Sequence, residues 1–475
     1  MKTDILFINP PWYKSSGNVW KAVGACLPPF CLGLLAALSR QRGYRADVLD
    51  CNALHIGLDA LDKNLPSKPP RFVGLTATTV LIAQALEAAK ITKQKYPQTK
   101  TIIGGVHCTV LPEEVLSCPS IDYIVMGEGE YALLDILAGK DPADILGLGW
   151  KKNGSLFFNP QGPTIPDINI FPFMAYDLLP MDKYYPAAGG YKRLPSLGMI
   201  TSRGCPGRCT FCKGNVLGEL IRFRTAEKIF EEIVFLQKNY GIRDIAFYDD
   251  TFTANRKNVL DFCRLLLENP AKGGAGKTDL TWSCFSRVDT INEEMLSAMK
   301  KAGCHQIMYG VESADPQILQ NINKRISLEK VEETVKATKK AGIETRLAFM
   351  FGNPGETEET VKKTIDYSIY LRPDLVSYNI TTPYPGTVMF EWADKNGYLL
   401  HKKWPEYDLS KPIMELPTIS PEKVLSYYKY AYRKFYFRAG YVFQRLKRIR
   451  SFNDLKRNLS PFFSFARFLF APGRD

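Results

Sequence analysis

Short apolar stretches alternate with helical patterns along the first 138 residues of the chain. Strands are predicted at 5–8, 45–50, 72–75, 101–103 and 121–125. Apolar stretches of this length are typical of strands that are buried on both faces of a parallel sheet. The segments 31–38 and 80–95 have helical composition. Strands that alternate with helices predict a doubly wound, Rossmann-like α/β sheet.

A second series of the same kind follows. Its predicted strands are 198–201, 244–248, 281–285, 306–310, 345–350 and 376–379. Helical stretches such as 225–239 and 327–341 lie between them. Six strand–helix units predict a partial (β/α)6 barrel rather than a closed eightfold one, with function at the carboxyl ends of its strands.

These patterns divide the chain into four parts. We expect a sheet domain at 1–138, a connector at 139–190, the barrel at 191–400 and a mainly helical region at 401–475. The connector is rich in Pro, Gly and Asn, and its Asn153-Gly154 pair predicts a hairpin.

Small and polar residues follow the strands of the first domain. They are Asn9, Pro10, Thr76, Thr78, Gly104, Gly105, His107, Gly127 and Glu128. Ligands bind at the carboxyl ends of the strands in a doubly wound sheet. Small residues there allow a large ligand to approach the backbone closely. The sequence therefore predicts a large ligand at the edge of the sheet where the carboxyl ends of its strands lie.

Composition and charge exclude several classes of protein. Apolar residues make up 45% of the chain and charged residues 23%, which is ordinary globular usage and excludes a disordered or collagen-like chain. The formal charge is +13, but the segment 421–475 carries 13 of the 62 lysines and arginines and only three of the 49 acidic residues. The basic character therefore belongs to one segment, and nucleic-acid binding is not expected.

The N-terminal stretch predicts a strand rather than a signal peptide, and no apolar stretch is long enough to span a membrane. We therefore expect a cytoplasmic protein. Eleven cysteines without export signals indicate a reducing compartment. Eight of them are scattered, and we expect these to be ordinary buried thiols.

The other three cysteines carry the strongest chemical signal. Cys205, Cys209 and Cys212 follow the first strand of the barrel with the spacing C-x3-C-x2-C. Three thiolates on one short loop suit an iron–sulfur cluster. The alternative is a zinc site, but structural zinc needs four ligands, and no fourth Cys or His lies nearby in the sequence.

This loop resembles that of the radical S-adenosylmethionine (SAM) enzymes. The resemblance implies a 4Fe-4S cluster on the three cysteines, with one open iron that chelates SAM. It also implies SAM-binding roles at later strand ends. The residues in those positions, together with the aromatic residue before the last cysteine, are Phe211, Tyr248, Asp249, Asp250, Arg287 and Glu312. Either aspartate can accept the SAM ammonium group, and Arg287 can pair bidentately with the carboxylate.

The first domain resembles the cobalamin-binding domain of the cobalamin-dependent radical SAM enzymes. The resemblance rests on the residues that follow its strands, and it implies that they contact cobalamin. The family's cobalt-ligating His is missing, because 9–27 contains no His at all. We expect His107 to touch the cofactor periphery rather than cobalt. A sheet that binds another nucleotide, or nothing, is the alternative.

The whole pattern resembles the branch that includes anaerobic magnesium-protoporphyrin ester cyclases and carbon methyltransferases. It implies hydrogen abstraction from an unactivated carbon by a 5′-deoxyadenosyl radical and methyl transfer from methylcobalamin. An oxidative cyclisation without methyl transfer and a non-catalytic cobalamin or redox sensor stay open. The resemblance also implies a small-molecule, lipid-like or ring-rich substrate and an external one-electron donor such as flavodoxin or ferredoxin.

The basic segment 421–475 is also rich in aromatic residues. Two interpretations are open. Its helices lie at an anionic membrane surface, which would place the protein at the inner membrane face. Alternatively, the aromatic side chains cover the open edge of the partial barrel, and the basic side chains stay solvated.

Overall fold

The computed structural model describes residues 3–12, 24–187, 189–218, 220–269 and 279–448, the last five by backbone only. The strands are β1 (Ile5–Asn9), β2 (Ala46–Asp50), β3 (Phe72–Thr76), β4 (Lys100–Gly104), β5 (Tyr123–Val125), β6 (Leu148–Lys152), β7 (Ser155–Phe158), β8 (Ser196–Met199), β9 (Ser202–Arg203), β10 (Arg222–Phe223), β11 (Asp244–Phe247), β12 (Thr281–Ser286), β13 (Cys304–Glu312), β14 (Glu344–Phe351) and β15 (Leu375–Ile380).

The helices are α1 (Phe30–Gln41), α2 (Leu58–Asn64), α3 (Ile82–Lys95), α4 (Val106–Val110), α5 (Pro112–Ser117), α6 (Glu130–Ala138), α7 (Ala226–Tyr240), α8 (Arg256–Glu268), α9 (Glu293–Lys301), α10 (Pro316–Asn321), α11 (Leu328–Lys340), α12 (Glu358–Tyr370), α13 (Val388–Lys395), α14 (Pro421–Tyr436) and α15 (Ala439–Arg448). In the described ranges, none of them is both long and apolar enough to cross a bilayer.

The first sheet has the strand order β2-β1-β3-β4-β5-β6-β7. Its first five strands are parallel, and helices cover both faces, which confirms the predicted doubly wound fold. Alternate residues of β1 enter different cores: Leu6 and Ile8 on one face, Ile5 and Phe7 on the other. This two-sided burial explains the continuous apolar run.

The hairpin predicted at Asn153-Gly154 forms, but it extends the first sheet. β6 pairs antiparallel with β5, and β7 pairs with β6. Trp150 and Phe157 stack across the hairpin with ring centroids 5.3 Å apart. The first sheet therefore runs to Phe158, beyond the predicted boundary at 138, because the hairpin covers the edge that β5 would otherwise expose.

The second sheet has six parallel strands in the order β15-β14-β13-β12-β11-β8. This confirms the predicted partial barrel and all six of its predicted strands. Side-chain caps start most of its helices. The capping residues are Thr225, Asn255, Asn292, Asp315, Ser327 and Thr357. Each cap satisfies a backbone N–H that would otherwise lack a partner, and so fixes the loop between a strand and its helix.

Helix α14 lies against the open edge of the barrel at β15. The Tyr432 hydroxyl accepts from Tyr378 N at 3.1 Å and donates to Tyr378 O at 2.9 Å. Tyr436 makes the same pair of bonds with Val376, at 3.0 and 2.6 Å. Tyr432 and Tyr436 lie one turn apart on the helix, and their hydroxyls bind the backbone of alternate residues of β15. In a sheet, a neighbouring strand would supply these hydrogen bonds.

This packing supports the edge-covering interpretation for 421–441. The Tyr441 hydroxyl continues the pattern and donates to Asp374 O at 3.1 Å. The segment 449–475, which ends in the Phe-rich stretch, lies outside the described residues. Its predicted membrane contact therefore stays a prediction.

Candidate cofactor and active site

One cavity of about 1170 Å³ lies between the carboxyl ends of the two sheets. From the first sheet it is lined by residues that include Thr76 and Gly104, and from the second by residues that include Tyr248 and Phe285. Ligand pockets usually measure roughly 300–1,000 Å³. The two edges that the sequence marks as ligand-binding therefore share one unusually large chamber.

The three cysteines lie on the wall of this chamber, between β9 and β10. Glycines let their sulfurs approach each other. A Cβ atom added to Gly207 would stand 3.4 Å from Cys205 Sγ and 3.7 Å from Cys209 Sγ. One added to Gly214 would stand 3.7 Å from Cys212 Sγ and 3.1 Å from Cys205 Cβ. The three thiols therefore surround a small space that side chains at these glycines would fill.

The arrangement of the thiols fits a cluster better than a zinc ion. In the part of the chain that the structure describes, no three His, Cys, Asp or Glu side chains are placed to hold a single metal ion. A four-iron cluster binds its thiolates at separate irons, so it does not require them to meet at one point. With three protein ligands, one iron stays open.

Positive charge lies on one side of the cysteine loop. Burial raises the pKa of the Cys209 thiol, and the nearby charges of Lys324 and Arg287 act in the opposite direction. The Gly207 N–H donates to Cys205 Sγ at 3.4 Å. These groups oppose the effect of burial, which dominates at Cys209 and also raises the pKa of Cys212 to about 11.

The two predicted aspartates have different environments. Both oxygens of Asp249 accept hydrogen bonds, from the backbone and hydroxyl groups of Thr201 and Ser202. The carboxylate therefore holds the segment just before the cysteine loop, and the predicted contact of Asp249 with SAM stays a prediction. Asp250 is exposed to the cavity, and no described group donates to its carboxylate. Asp250 alone is placed to accept an ammonium group.

Arg287, which is predicted to bind the SAM carboxylate, is paired within the protein. Its Nε and Nη2 atoms donate to the two carboxylate oxygens of Asp289 at 2.9 and 2.8 Å. The bidentate pairing expected with SAM is therefore taken by Asp289. The remaining Nη1 points toward the cysteine loop, 3.1 Å from where a Cβ at Gly207 would stand.

Glu312 lines the cavity but is paired with a residue that the sequence did not reveal. Lys324 Nζ donates to Glu312 Oε1 at 2.7 Å, and both side chains are buried. Glu312 has a φ of 71°, and Asn323 and Arg325, on either side of the lysine, have 51° and 53°. Non-glycine residues in this region are strained, and such strain is concentrated at functional sites.

The lysine is held beside the cysteine loop by backbone contacts. Asn323 Nδ2 donates to Arg208 O at 2.6 Å, and Thr210 N donates to Ile322 O at 3.0 Å. Nothing in the sequence around Lys324 marks it, because its position depends on contacts with a loop more than 100 residues earlier.

Phe211 and Tyr248 both line the cavity, as predicted for SAM contacts. The Tyr248 ring packs edge-on against Phe285, with centroids 5.4 Å apart. A Cβ added to Gly198 would stand 3.1 Å from the Tyr248 ring and 3.1 Å from Phe30 Cζ. The absence of a side chain at Gly198 therefore leaves space for Phe30 of the first domain and Tyr248 of the barrel to pack there.

Most of the residues predicted to contact cobalamin also line the cavity. They are Thr76, Thr78, Gly104, Gly105, Gly127 and Glu128. Gly105 has a φ of 110°, and an added Cβ would stand 2.5 Å from Ala77 O. Only glycine fits there, so the backbone itself forms the surface that a large ligand meets.

Asn9, Pro10 and His107 lie outside the cavity lining, so their predicted contact with cobalamin stays a prediction. Asn9 and Pro10 do not line the cavity; Asn9 Nδ2 donates to Asp50 Oδ1 at 2.8 Å. The His107 ring does not line it either. That ring is fully buried, with Nδ1 3.3 Å from Thr79 Oγ1, and burial lowers its pKa. Turning the His107 side chain away from the ligand edge lets it pack against Trp404.

Two of the eight scattered cysteines are not buried. Cys118 is partly exposed, and Cys31 is exposed at the first turn of α1, where it lines the cavity. The Cys31 thiol lies 3.5 Å from Thr76 Oγ1. Composition alone did not indicate this contact with the ligand edge.

Family models match both halves of the chain. The model described as "Radical SAM superfamily" matches residues 199–368, and that described as "B12 binding domain" matches residues 19–137. The first match contains the cysteine loop and most of the barrel. The second contains the edge of the first sheet that lines the cavity.

Curated relatives match over nearly the whole chain. The uncharacterized methyltransferase PH0819 of Pyrococcus horikoshii is 36% identical over 91% of this chain and 92% of its own length. The anaerobic magnesium-protoporphyrin IX monomethyl ester cyclase of Rubrivivax gelatinosus is 27% identical over 92% of this chain and 78% of its own length.

A solved structure shares the architecture. The cobalamin-dependent SAM radical enzyme OxsB, with aqua-cobalamin and SAM bound, matches with a TM-score of 0.73 over 97% of this chain and 72% of that chain. Its sequence is 17% identical, so this likeness shows the fold.

Proposed function

The chain belongs to the cobalamin-dependent radical SAM enzymes, and we propose that it methylates an unactivated carbon of a small-molecule substrate. When bound, the cluster and SAM supply a 5′-deoxyadenosyl radical that removes a hydrogen atom, and cobalamin supplies the methyl group. The observation that carries this proposal is the single cavity, which the cysteine loop and the edge of the first sheet line together. A methyl donor and a radical source can then reach the same carbon.

We propose distinct roles for the residues around the cluster. Cys205, Cys209 and Cys212 would hold a four-iron cluster at the cavity wall, and three protein ligands would leave one iron open to SAM. Asp250, which has no partner among the described residues, accepts the SAM ammonium group. The SAM carboxylate lies toward Lys324 and the free Nη1 of Arg287, two cations whose charges act on the Cys209 thiol.

The first-domain edge binds cobalamin through its backbone. Thr76 and Thr78 offer hydroxyl groups, and Gly104 and Gly105 allow close contact. No His lines this part of the cavity among the described residues, so this lining would offer cobalt no imidazole. The apolar lining near Phe30 and Phe285 excludes water from the reacting radical, which would otherwise be quenched in side reactions.

Anaerobic incubation of the reconstituted enzyme with SAM and a one-electron reductant tests the proposal. We expect 5′-deoxyadenosine together with S-adenosylhomocysteine, the product left when SAM gives its methyl group to reduced cobalamin. Cys209→Ala should abolish 5′-deoxyadenosine. Cys118→Ala, which changes a half-buried thiol away from the loop, should not.

The other functions predict different products. The identity to the magnesium-protoporphyrin cyclase favours a cyclase-type oxidation as the second candidate. In that case 5′-deoxyadenosine should form without S-adenosylhomocysteine. Absence of both products in fully loaded enzyme would indicate a sensor and overturn the proposal.

We further propose a flavodoxin- or ferredoxin-like electron donor, because the chain itself provides only the one cluster site in its described part. We also propose peripheral membrane contact through 421–475. Because Tyr432 and Tyr436 of α14 bind β15, we assign this contact to the last part of the segment. Deletion of 449–475 should then reduce binding to anionic vesicles. Unchanged binding would contradict membrane contact.

A further inference from the structure

The cavity wall has no charged side chains from β14 onward among the described residues. Every described lining residue from β14 onward is uncharged: Ala348, Met350, Asn379, Thr382, Tyr384, Pro385 and Leu409. All charged residues of the lining come from earlier in the chain, near the cluster loop or the first sheet. The wall formed by β14, β15 and the following segment is therefore a separate, neutral region of the same chamber.

Asn379 is the unsatisfied polar side chain of this wall. No described group hydrogen-bonds to its amide, and its Oδ1 atom is buried. The other polar groups of the wall have partners. Thr382 Oγ1 donates to Ile380 O at 3.2 Å, and the Tyr384 hydroxyl donates to Tyr407 O at 2.6 Å. A buried amide without a partner is costly, so a ligand group is expected to satisfy it.

Leu409 reaches the same wall from outside the barrel. Its φ is 68°, a conformation in which a branched, bulky residue is strained. The strain is maintained by neighbouring contacts. Ile380 N donates to Leu409 O at 2.9 Å, and Asp408 Oδ1 accepts from Ser410 N and Ser410 Oγ at 3.0 and 2.6 Å. The segment after the barrel is thus fixed so that Leu409 faces the cavity.

We propose that Asn379 and Leu409 form a substrate subsite that selects a neutral, largely apolar molecule carrying an amide-like N–H and C=O pair. This rests on the proposed function, for which it names the substrate class. A primary amide presents one donor and one acceptor side by side, whichever way it is flipped. Whichever atom of the Asn379 amide faces the cavity, an amide or lactam group supplies its complement, whereas a carboxylate offers no donor.

A carboxylate is disfavoured for a second reason. Burying a charge requires a partner of opposite charge, and this wall has none among its described residues. Lys324 and Arg287 lie near the cluster loop, where we place the SAM carboxylate, and not on this wall. Leu409 and Met350 supply apolar contact beside the amide, which suits a ring or an alkyl chain.

Binding of a matched pair of probes tests the subsite without any turnover. Equilibrium dialysis of the holoenzyme, loaded with cluster and cobalamin, measures the Kd of 2-naphthamide and of 2-naphthoate. We expect 2-naphthamide to bind at least tenfold more tightly. Asn379→Leu should abolish this preference, and Leu409→Ala should weaken binding of 2-naphthamide. Asn239→Leu, at an exposed position on α7, should leave both constants unchanged.

Iron and cobalamin contents establish that each variant is loaded. If Asn379→Leu does not load, the near-isosteric Asn379→Asp replaces it and should weaken 2-naphthamide binding by a similar factor. Equal or tighter binding of 2-naphthoate, or 2-naphthamide binding that neither Asn379 variant changes, would overturn the proposal. Because no SAM is consumed, such a failure leaves the product assay for the proposed function independent.

Discussion

Arg203, two residues before the first cluster cysteine, donates to the carboxylate of Glu128 at the edge of the first sheet. Glu128 is buried and Arg203 is partly buried, and this ion pair ties the cluster loop directly to the domain on the other side of the cavity. Arg222 at the far end of the loop binds the same carboxylate at 2.7 and 2.8 Å. One glutamate therefore holds both ends of the loop. Its predicted contact with cobalamin stays a prediction.

Removal of this carboxylate should destabilise the protein and loosen the loop. Glu128→Ala leaves the buried Arg222 guanidinium without a carboxylate partner and leaves Arg203 with Glu130 alone, so we expect the free energy of unfolding to fall by about 3–5 kcal/mol. Urea denaturation measures this change. The control Glu87→Ala removes one member of an exposed pair with Lys90 and should cost less than about 1 kcal/mol. Equal effects of the two variants would contradict the role of Glu128.

The tyrosine contacts of α14 predict local protection of β15. Tyr432→Phe removes the hydroxyl that pairs with both backbone groups of Tyr378, so we expect a loss of about 1–3 kcal/mol. Hydrogen exchange at the Tyr378 amide should become faster. Tyr430→Phe alters an exposed residue of the same helix and should leave that exchange rate unchanged. Unaltered exchange in Tyr432→Phe would show that α14 does not cover this edge.

The glycine at the first-sheet edge predicts a specific loss of cobalamin. Gly105→Ala forces a side chain to within 2.5 Å of Ala77 O at a φ of 110°, so the backbone there must move. We expect the absorbance of bound cobalamin after purification to fall at least tenfold, while iron content is kept. Gly43→Ala provides the control, because it has a φ of 84° but no atom within 4 Å of the new Cβ. Full cobalamin content in Gly105→Ala would contradict this edge as the cobalamin site.

Glu356 predicts a pH dependence of stability. Burial raises the pKa of its carboxyl group from 4.5 to about 7, with a further contribution from Asp315. The folded protein then binds the proton more tightly than the unfolded chain. Its contribution to stability is therefore fully present below pH 4.5 and is lost as the pH rises toward 7.

Glu356→Gln should remove this dependence. The amide oxygen can still accept from the backbone N–H groups of Gly352 and Asn353, and nothing ionises. At pH 8 we expect the variant to be more stable than the natural protein by about 1–3 kcal/mol. At pH 4.5 the two should be similar. Denaturation at both pH values checks this, and a constant difference between them would count against an ionisable buried Glu356.

The sequence predicted features that depend on local pattern. The run 345–350 reads as a strand because it is apolar enough for burial on both faces, and the cysteine spacing marks the loop without any knowledge of its partners. The same reasoning could not separate Asp249 from Asp250. These neighbours differ only because Thr201 and Ser202, almost 50 residues earlier, donate to one and not the other.

Other errors have the same origin in long-range packing. The sequence did not indicate Lys324 as a site residue, because its position beside the cysteine loop is set by contacts of Asn323 and Ile322. His107 was expected at the ligand edge because it follows Gly104-Gly105, but it packs against Trp404, which lies almost 300 residues later. The hairpin at Asn153 was predicted locally, whereas its pairing with β5 was not.

The most direct test of the account is electron paramagnetic resonance of the reduced, reconstituted protein with and without SAM. Three thiolates that leave one iron of a four-iron cluster open predict about four irons per chain and a cluster signal that changes when SAM is added. Cys205→Ala should lose the signal. A cluster signal that saturating SAM leaves unchanged would show that no iron is open to it, and would contradict the central claim.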